Sequence, residues 1–240
     1  GEVLGRFNAV AHFPVPTPSA SQLQALAGGE VLRMVERRDD GHLRLVAMLA
    51  SPVPKVHTWL ATQDPHYGGE DDAIETNLRI GRHWGIWYAL LDLPRPFEDR
   101  HWVIESWDNV ELAKSSGGAI WEHPWALKAA ELPAVRQKVA DGKVPGLDLA
   151  TFDAAVLTPV NEGAMAMLDL PRGHSLFIYH ATTDIGGAVP PRLVVEYVRA
   201  KAEQNLRRIE ARARDDVPKH YRGAHAPVRG CDGADVPRMP

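Results

Sequence analysis

The chain has 240 residues, one cysteine and a formal net charge of −4, and 45% of its residues are hydrophobic. A single cysteine, Cys231, excludes an intramolecular disulfide framework, and the mild negative charge gives no broad attraction for nucleic acid. The length supports one sizeable core or two small ones, and no apolar run approaches the roughly 20 residues that cross a bilayer.

Residues 1–27 read as an N-terminal extension. Within it Phe13-Pro14-Val15-Pro16-Thr17-Pro18-Ser19 carries prolines at alternate positions, which favours an extended strap, and residues 21–26 allow a short helical turn. The domain proper is expected over residues 28–214. Two apolar runs, 31–37 and 43–49, flank Asp39-Asp40-Gly41, a hairpin signal. Ser51 as N-cap and Pro52 as first helical residue then predict a short helix with Val53, Val56, Trp59 and Leu60 on one face. The acidic turn Gly68-Gly69-Glu70-Asp71-Asp72 lacks the spacing of a calcium loop, so no metal or other cofactor is expected.

Residues 76–93 read as one long strand and 100–107 as its antiparallel partner. In the first, Leu78, Ile80, Trp84, Ile86 and Tyr88 share one parity, Arg82 interrupts it, and Gly85 is a candidate bulge that leaves the side of Trp87 open. In the second, Arg100, Trp102 and Ile104 share a face. A further strand over 119–125 carries Trp121 and Trp125, with Pro124 pointing to an edge or a bend. A helical insertion over 127–157 follows, with helices near 132–140 and 148–156. Strands at 163–170 and 175–183 lead into Gly186-Gly187-Ala188-Val189-Pro190-Pro191, a tight corner with proline at the first helical position. The helix then runs over about 192–214, with Val195, Val198, Ala202, Leu206, Ile209 and Ala213 as its apolar stripe. Residues 215–240 read as a C-terminal tail that wraps the domain or is disordered. Strands with segregated helices indicate an α+β domain, and a curved antiparallel sheet is the natural surface for the long stripe.

Two stretches carry a family resemblance. Leu93-Pro94-Arg95-Pro96-Phe97-Glu98-Asp99-Arg100-His101-Trp102-Val103 resembles the P-F-x-x-R-D-F-V strand of the START lipid-transfer domain, with His101-Trp102 in place of Asp-Phe. Thr183-Asp184-Ile185-Gly186-Gly187-Ala188-Val189-Pro190 resembles that family's D-x-G-G-x-(I/L)-P corner before the C-terminal helix. The resemblance spans residues 28–214 and implies a helix-grip fold, a curved antiparallel sheet gripping the C-terminal helix around an internal hydrophobic cavity. It also implies one hydrophobic ligand, often a sterol or phospholipid, and transient contact with a membrane surface. Ser106 stands about where several sterol-binding relatives carry a cavity arginine.

A lipid tunnel needs apolar walls and a few polar groups. Trp84, Tyr88, Trp102, Trp121 and Trp125 are candidates for rigid wall area, together with Ile104, Met165, Met167, Phe177 and Tyr179, while Val194 and Val198 form the helix side. For each of these, plain core packing is the competing role. Arg100 either binds a ligand head group or ties a loop through a carboxylate such as Asp99 or Glu105, and the loop tie is favoured. The insertion, the proline-rich link at 93–99 and the Gly186-Gly187 corner are candidate gates. The basic residues of the last helix, balanced by Glu203, Glu210 and Asp215, fit a solvated face better than a membrane-binding one. The sequence has no zinc-protease helix, nucleophile elbow or phosphate loop. The expectation is a soluble lipid carrier, cytoplasmic, or periplasmic if a leader was removed before Gly1. The alternative is a cyclase- or aromatase-like enzyme on the same fold, with His101, His123 and His180 meeting as general acid or base.

Overall fold

Apolar residues at every second position give this chain strands with two different faces, and the structure pairs them into a single sheet. It is a computed structural model that describes residues 2–64, 73–95, 97–184, 186, 191–223 and 227–236, without the side chains of 191–194, 197 and 198. Strands β1 (Leu32–Arg37), β2 (Leu43–Ser51), β3 (Ala73–Ile80), β4 (Trp84–Leu91), β5 (Arg100–Trp107), β6 (Ile120–Leu127), β7 (Val156–Leu157), β8 (Val160–Asp169) and β9 (Ser175–Asp184) make one sheet. Its order is β1-β2-β9-β8-β6-β5-β4-β3, with β7 added parallel to the start of β5. All other pairings are antiparallel. The helices are α1 (Glu2–Asn8), α2 (Ala20–Ala27), α3 (Lys55–Gln63), α4 (Val110–Ser115), α5 (Leu132–Ala140), α6 (Leu149–Ala154), α7 (Pro191–Asp215) and α8 (Val217–His220). The architecture is the expected α+β sheet with a long C-terminal helix.

The register sorts every strand residue onto one of two faces. Leu45, Ala47 and Leu49 of β2 meet Ala181, Tyr179 and Phe177 of β9, which oppose Gly163, Met165 and Met167 of β8. Those in turn face Trp125, His123 and Trp121 of β6, and Trp125 pairs with Ser106 of β5. This inner face packs against α3 and α7. Trp59 and Leu60 of α3, Ala202, Leu206, Ile209 and Ala213 of α7, and Trp121, Met167 and Phe177 of the sheet share one buried cluster. The stripe expected on α7 is therefore present from Ala202 onward, Val195 is half-buried, and Val198 lies outside the described residues.

The outer face is sealed in two pieces. Leu4, Phe7, Val15 and Leu26 of the N-terminal extension pack on Val46, Met48, Leu168 and Ile178. Glu122, fully buried on this face, fastens the strap by accepting from the His12 backbone N–H and from Asn109 Nδ2 at 2.7 Å. The second piece is the helical insertion. Val135, Val139 and Phe152 of α5 and α6 cover Ile86, Tyr88, Leu90 and Val103. The insertion's helices thus lie on the far side of the sheet from α7 and do not gate the inner face.

Several expectations change. Residues 76–93 form a hairpin, β3 and β4, with a turn closed by Gly81 N–H donating to the Trp84 carbonyl at 2.8 Å. Its irregularity falls at Asn77/Arg79 and not at Gly85. Ser51 ends β2, and α3 begins at Lys55 after Pro54, because the Ser51 hydroxyl accepts from the Val53 N–H and holds the chain extended. Pro124 sits inside the sheet, where pairing with β5 has not yet begun: that pairing starts at Trp125, so the missing N–H costs no ladder bond on that side. The acidic turn at 68–72 lies outside the described residues.

The C-terminal segment is part of the core. Val217, Tyr221, Cys231 and Val236 join the α3–α7 cluster, the Tyr221 hydroxyl bonds Asp64, and Trp59 Nε1 donates to the Arg229 carbonyl at 2.8 Å. Burial pushes the Cys231 thiol up to about 12, which leaves it unreactive. Removing residues 216–240 is expected to lower the thermal transition by about 10 °C or more, since several fully buried side chains are lost at once. A transition within a few degrees of the parent would show the segment to be dispensable.

His180 lies on the outer face against Phe13, with its Nε2 buried and without a partner. Burial, and then Arg44 and Arg38, hold its pKa at about 3 against an ordinary 6.5. Above pH 6.5 it is neutral in both states. As pH falls from 6.5 toward 3 the unfolded chain takes up a proton that the folded chain refuses, so stability falls. Replacing it, His180→Leu, should make this acid loss shallower, by on the order of 2–3 kcal/mol at pH 4 in urea titrations. An unchanged slope would count against a neutral buried His180.

Candidate functional site

The inner face is packed at one end and less filled at the other. Around β2, β9 and the lower part of β6, α3 and the C-terminal half of α7 close over it. Across β4, β5, β6, β8 and β9 a second cluster lies on the same face: Ile104, Trp125 and Ala181 are buried, while Trp87, Trp102, Met165 and Tyr179 are half-buried. Large apolar side chains left partly uncovered on a concave, helix-facing surface are the usual material of a ligand wall.

A glycine shapes this wall. A methyl group at Gly163 would lie 2.1 Å from the His180 carbonyl oxygen and 2.6 Å from Trp125 Cζ2. The bare backbone therefore lets the Trp125 indole lie across β8. From there its Nε1 donates to Asn161 Oδ1 at 3.0 Å, and its ring lies 5.7 Å from that of Tyr179, tilted by 32°. The indole is fixed at both ends with its polar atom satisfied.

Arg100 sits at the α7 end of the wall and is 1% exposed. Its guanidinium donates to the carbonyls of Glu98 at 2.6 Å, Asp99 at 3.2 Å and Gly186 at 3.1 Å. The tie to the loop is thus made through backbone carbonyls, with Glu98 a distant ion partner at 4.0 Å. Glu105 instead pairs with Lys128, and Asp99 accepts from the Leu93 N–H. Arg100 joins the β4–β5 link to the corner before α7. That corner is held again by Gly186 N–H donating to Asp184 Oδ1 at 2.9 Å, and Gly186 adopts a left-handed φ of 63° hard against Pro159.

At the other end His123 projects from the inner face between Trp121 and Trp125. Its Nδ1 is 2.9 Å from Asp108 Oδ1, and the second carboxylate oxygen meets His83 Nδ1 at 3.1 Å. Trp59 stands edge-on to the His123 ring, with centroids 6.1 Å apart.

Of the residues assigned to the wall from sequence, Arg100, Trp102, Ile104, Trp121, Trp125, Met165, Met167, Phe177 and Tyr179 do share the inner face. Trp121, Met167 and Phe177 sit in its packed end. Trp84 and Tyr88 do not join them. Tyr88 pairs with Val103, one step out of phase with Trp102, and packs under the insertion against Phe152. Trp84 lies at the hairpin tip, 42% exposed and folded over Gly81. The residue of β4 that does reach the wall is Trp87, opposite Ile104. The side chains of Val194 and Val198 lie outside the described residues. The three histidines do not meet. His101 packs on the outer face with Tyr88 and Phe152, His180 lies under the strap, and His123 alone of the three faces α7.

Gly163→Ala should push Trp125 off β8 and cost about 2 kcal/mol or more through overpacking. Thermal denaturation and the near-ultraviolet circular dichroism of the indoles measure both, and a silent substitution would remove the close approach as a determinant of the wall.

No protein-family model and no curated protein sequence matches the chain. Solved structures do. Human STARD10 superposes with a TM-score of 0.55 at 14% identity, over 88% of this chain and 83% of that one. A STAR-related lipid transfer protein fragment from Xanthomonas axonopodis gives 0.57 at 12% identity, over 78% of this chain and 99% of that one. Human StAR-related lipid transfer protein 5 gives 0.52 at 12% identity, over 83% and 92%. At these identities the likeness is one of fold, and the chain has the START-like helix-grip fold that its two sequence stretches resemble.

Proposed function

We propose that this chain binds and carries a single hydrophobic lipid between the sheet and α7, with a sterol or sterol-like polycyclic lipid as the leading ligand. The observation that carries the reading is the half-buried cluster of Trp87, Trp102, Met165 and Tyr179 around Trp125 on the face turned to α7. Leaving such area partly uncovered forgoes stabilisation of roughly 25 cal/mol per Å², which a bound apolar ligand restores. The indoles and the Trp125–Tyr179 pair are broad and rigid, and suit a flat fused-ring body better than a mobile acyl chain. Met165 adapts the remaining contour. The wall comprises Trp102, Ile104, Trp125, Met165 and Tyr179, joined by Trp87. Arg100 closes the corner at which the ligand enters, during transient contact with a membrane surface. The neighbouring structures from Xanthomonas axonopodis and human are named as lipid transfer proteins, which supports the same reading.

The enzyme alternative has less to stand on. It requires a histidine or carboxylate facing the ligand; His101 and His180 are on the opposite face, each with its pKa lowered by burial, which leaves His123, paired with Asp108, as the one of the three histidines on this side.

Native mass spectrometry of the protein incubated with phosphatidylcholine vesicles containing a sterol reads the proposal directly. The parent chain should leave with one bound lipid. Trp102→Glu, which places a charge in the wall, should lose that adduct about tenfold or more while keeping its far-ultraviolet spectrum. Equal loading by the variant would take Trp102 out of the wall. A parent chain that loads neither sterol nor phospholipid would end the carrier reading.

A further inference from the structure

The polar end of the wall specifies what chemistry the ligand presents. We propose that His123, oriented by Asp108, is the acceptor for a hydroxyl group on the ligand, so that this site selects an alcohol over the corresponding ketone or ester; the assignment rests on the carrier reading above.

His123 stands on the inner face, its strand neighbour across the ladder being Met165, which belongs to the half-buried cluster. Its side chain is 18% exposed. An ionised carboxylate only accepts hydrogen bonds. Asp108 therefore takes Nδ1–H from His123 at 2.9 Å and Nδ1–H from His83 at 3.1 Å, one on each oxygen. The His83 ring is itself confined, since a methyl group on Gly233 of the C-terminal segment would come within 3.1 Å of it. Asp108 is 12% exposed and its backbone N–H is bonded to the His83 carbonyl at 2.8 Å, so the carboxylate has little room to turn. In the tautomer whose Nδ1–H is given to Asp108, the His123 imidazole presents Nε2 as a lone pair. Among the described residues that atom has no hydrogen-bond partner, in contrast to the indole of Trp125, which is satisfied by Asn161. An acceptor beside an apolar wall calls for a donor. A hydroxyl supplies one, and a ketone or ester oxygen does not. Arg100, a charged group on the same face, is bonded to backbone carbonyls at the opposite end. No charged head group is matched at the His123 end.

Matched probes test this with the intact chain. Phosphatidylcholine vesicles carrying cholestanol or cholestanone are offered to the protein, and the bound fraction is read by native mass spectrometry. The parent should favour the alcohol by about tenfold or more, the effect of satisfying against opposing one buried acceptor. His123→Phe should abolish the preference while still loading the ketone. Asp108→Asn should weaken it, because the amide can donate to one Nδ1 and turn that ring's Nε2 into a donor. Equal loading of alcohol and ketone by the parent, or a preference that survives in His123→Phe, would overturn the assignment and leave the carrier reading standing. A ketone preference would mean that Nε2 carries a proton and would overturn it as well. A parent that loads neither probe but takes up phospholipid would overturn the assignment together with the sterol-like ligand, while loading of no lipid at all would remove the carrier reading with it.

Discussion

The structure depends on one continuous antiparallel register. Because successive residues of a strand point to opposite sides, pairing eight strands edge to edge assigns each side chain to α7 or away from it with no freedom left. A slip of one residue between β4 and β5 would exchange Trp87 and Tyr88 and bury the wrong one under the insertion. The outer set, Val46, Met48, Ile86, Leu90, Val103 and Ile178, is uniformly apolar and closely covered, so a slip there would expose core to water. Coverage of this outer set by the strap and the insertion is what fixes the composition of the inner face.

The inner face is then divided by what lies over it. The small residues Ala202 and Ala213, with Leu206 and Ile209, let the C-terminal half of α7 close on α3 and β2, and the segment after α7 adds Tyr221 and Cys231 to the same cluster. Toward the N-terminal half of α7 the sheet carries indoles instead, and their rings stay half-buried. Arg100 stands at that end as a cation that donates to the carbonyls of Glu98, Asp99 and Gly186, tying the β4–β5 link to Gly186. Burying an arginine without partners is costly, and its full set of carbonyl acceptors is why it can sit there at all.

Much of this was legible in the chain itself. Strands with clean alternation and a turn dipeptide, such as the pair around Asp39-Asp40-Gly41, were readable, as were the turn at Gly186 and the stripe from Ala202 to Ala213. The β3–β4 hairpin was not. Its turn, Gly81-Arg82-His83, has no asparagine–glycine or aspartate–glycine signal, and the apolar residues on either side happen to keep one parity across it. That single omission placed Trp84 with the wall and left Trp87 undecided. Gly163 did carry a signal, a glycine in mid-strand, whose meaning depends on a tryptophan 38 positions away in a neighbouring strand. The C-terminal segment was hidden for a compositional reason: it is polar and rich in glycine and proline, and its core contribution comes from four isolated residues with no period. The Asp108 carboxylate between two histidines was hidden by distance, since His83, Asp108 and His123 come from a turn, a strand end and a neighbouring strand.

The arrangement of polar groups follows from the same division. The START resemblance places Ser106 about where sterol-binding relatives have an arginine, and here Ser106 is small and buried beside Trp125. An arginine there would bring a permanent charge into the middle of the wall and demand a partner from the ligand or the protein. Its absence leaves the middle apolar and moves the polar capacity outward: a charged group at the corner, where its donors meet carbonyls, and an imidazole at the other end, where Asp108 sets the tautomer. Among the described residues, the cluster around Trp125 is made of uncharged side chains. On the carrier reading proposed above, such a site would discriminate through shape along the indoles and through one hydrogen bond at the end, the pattern expected when a largely apolar body carries a single polar handle.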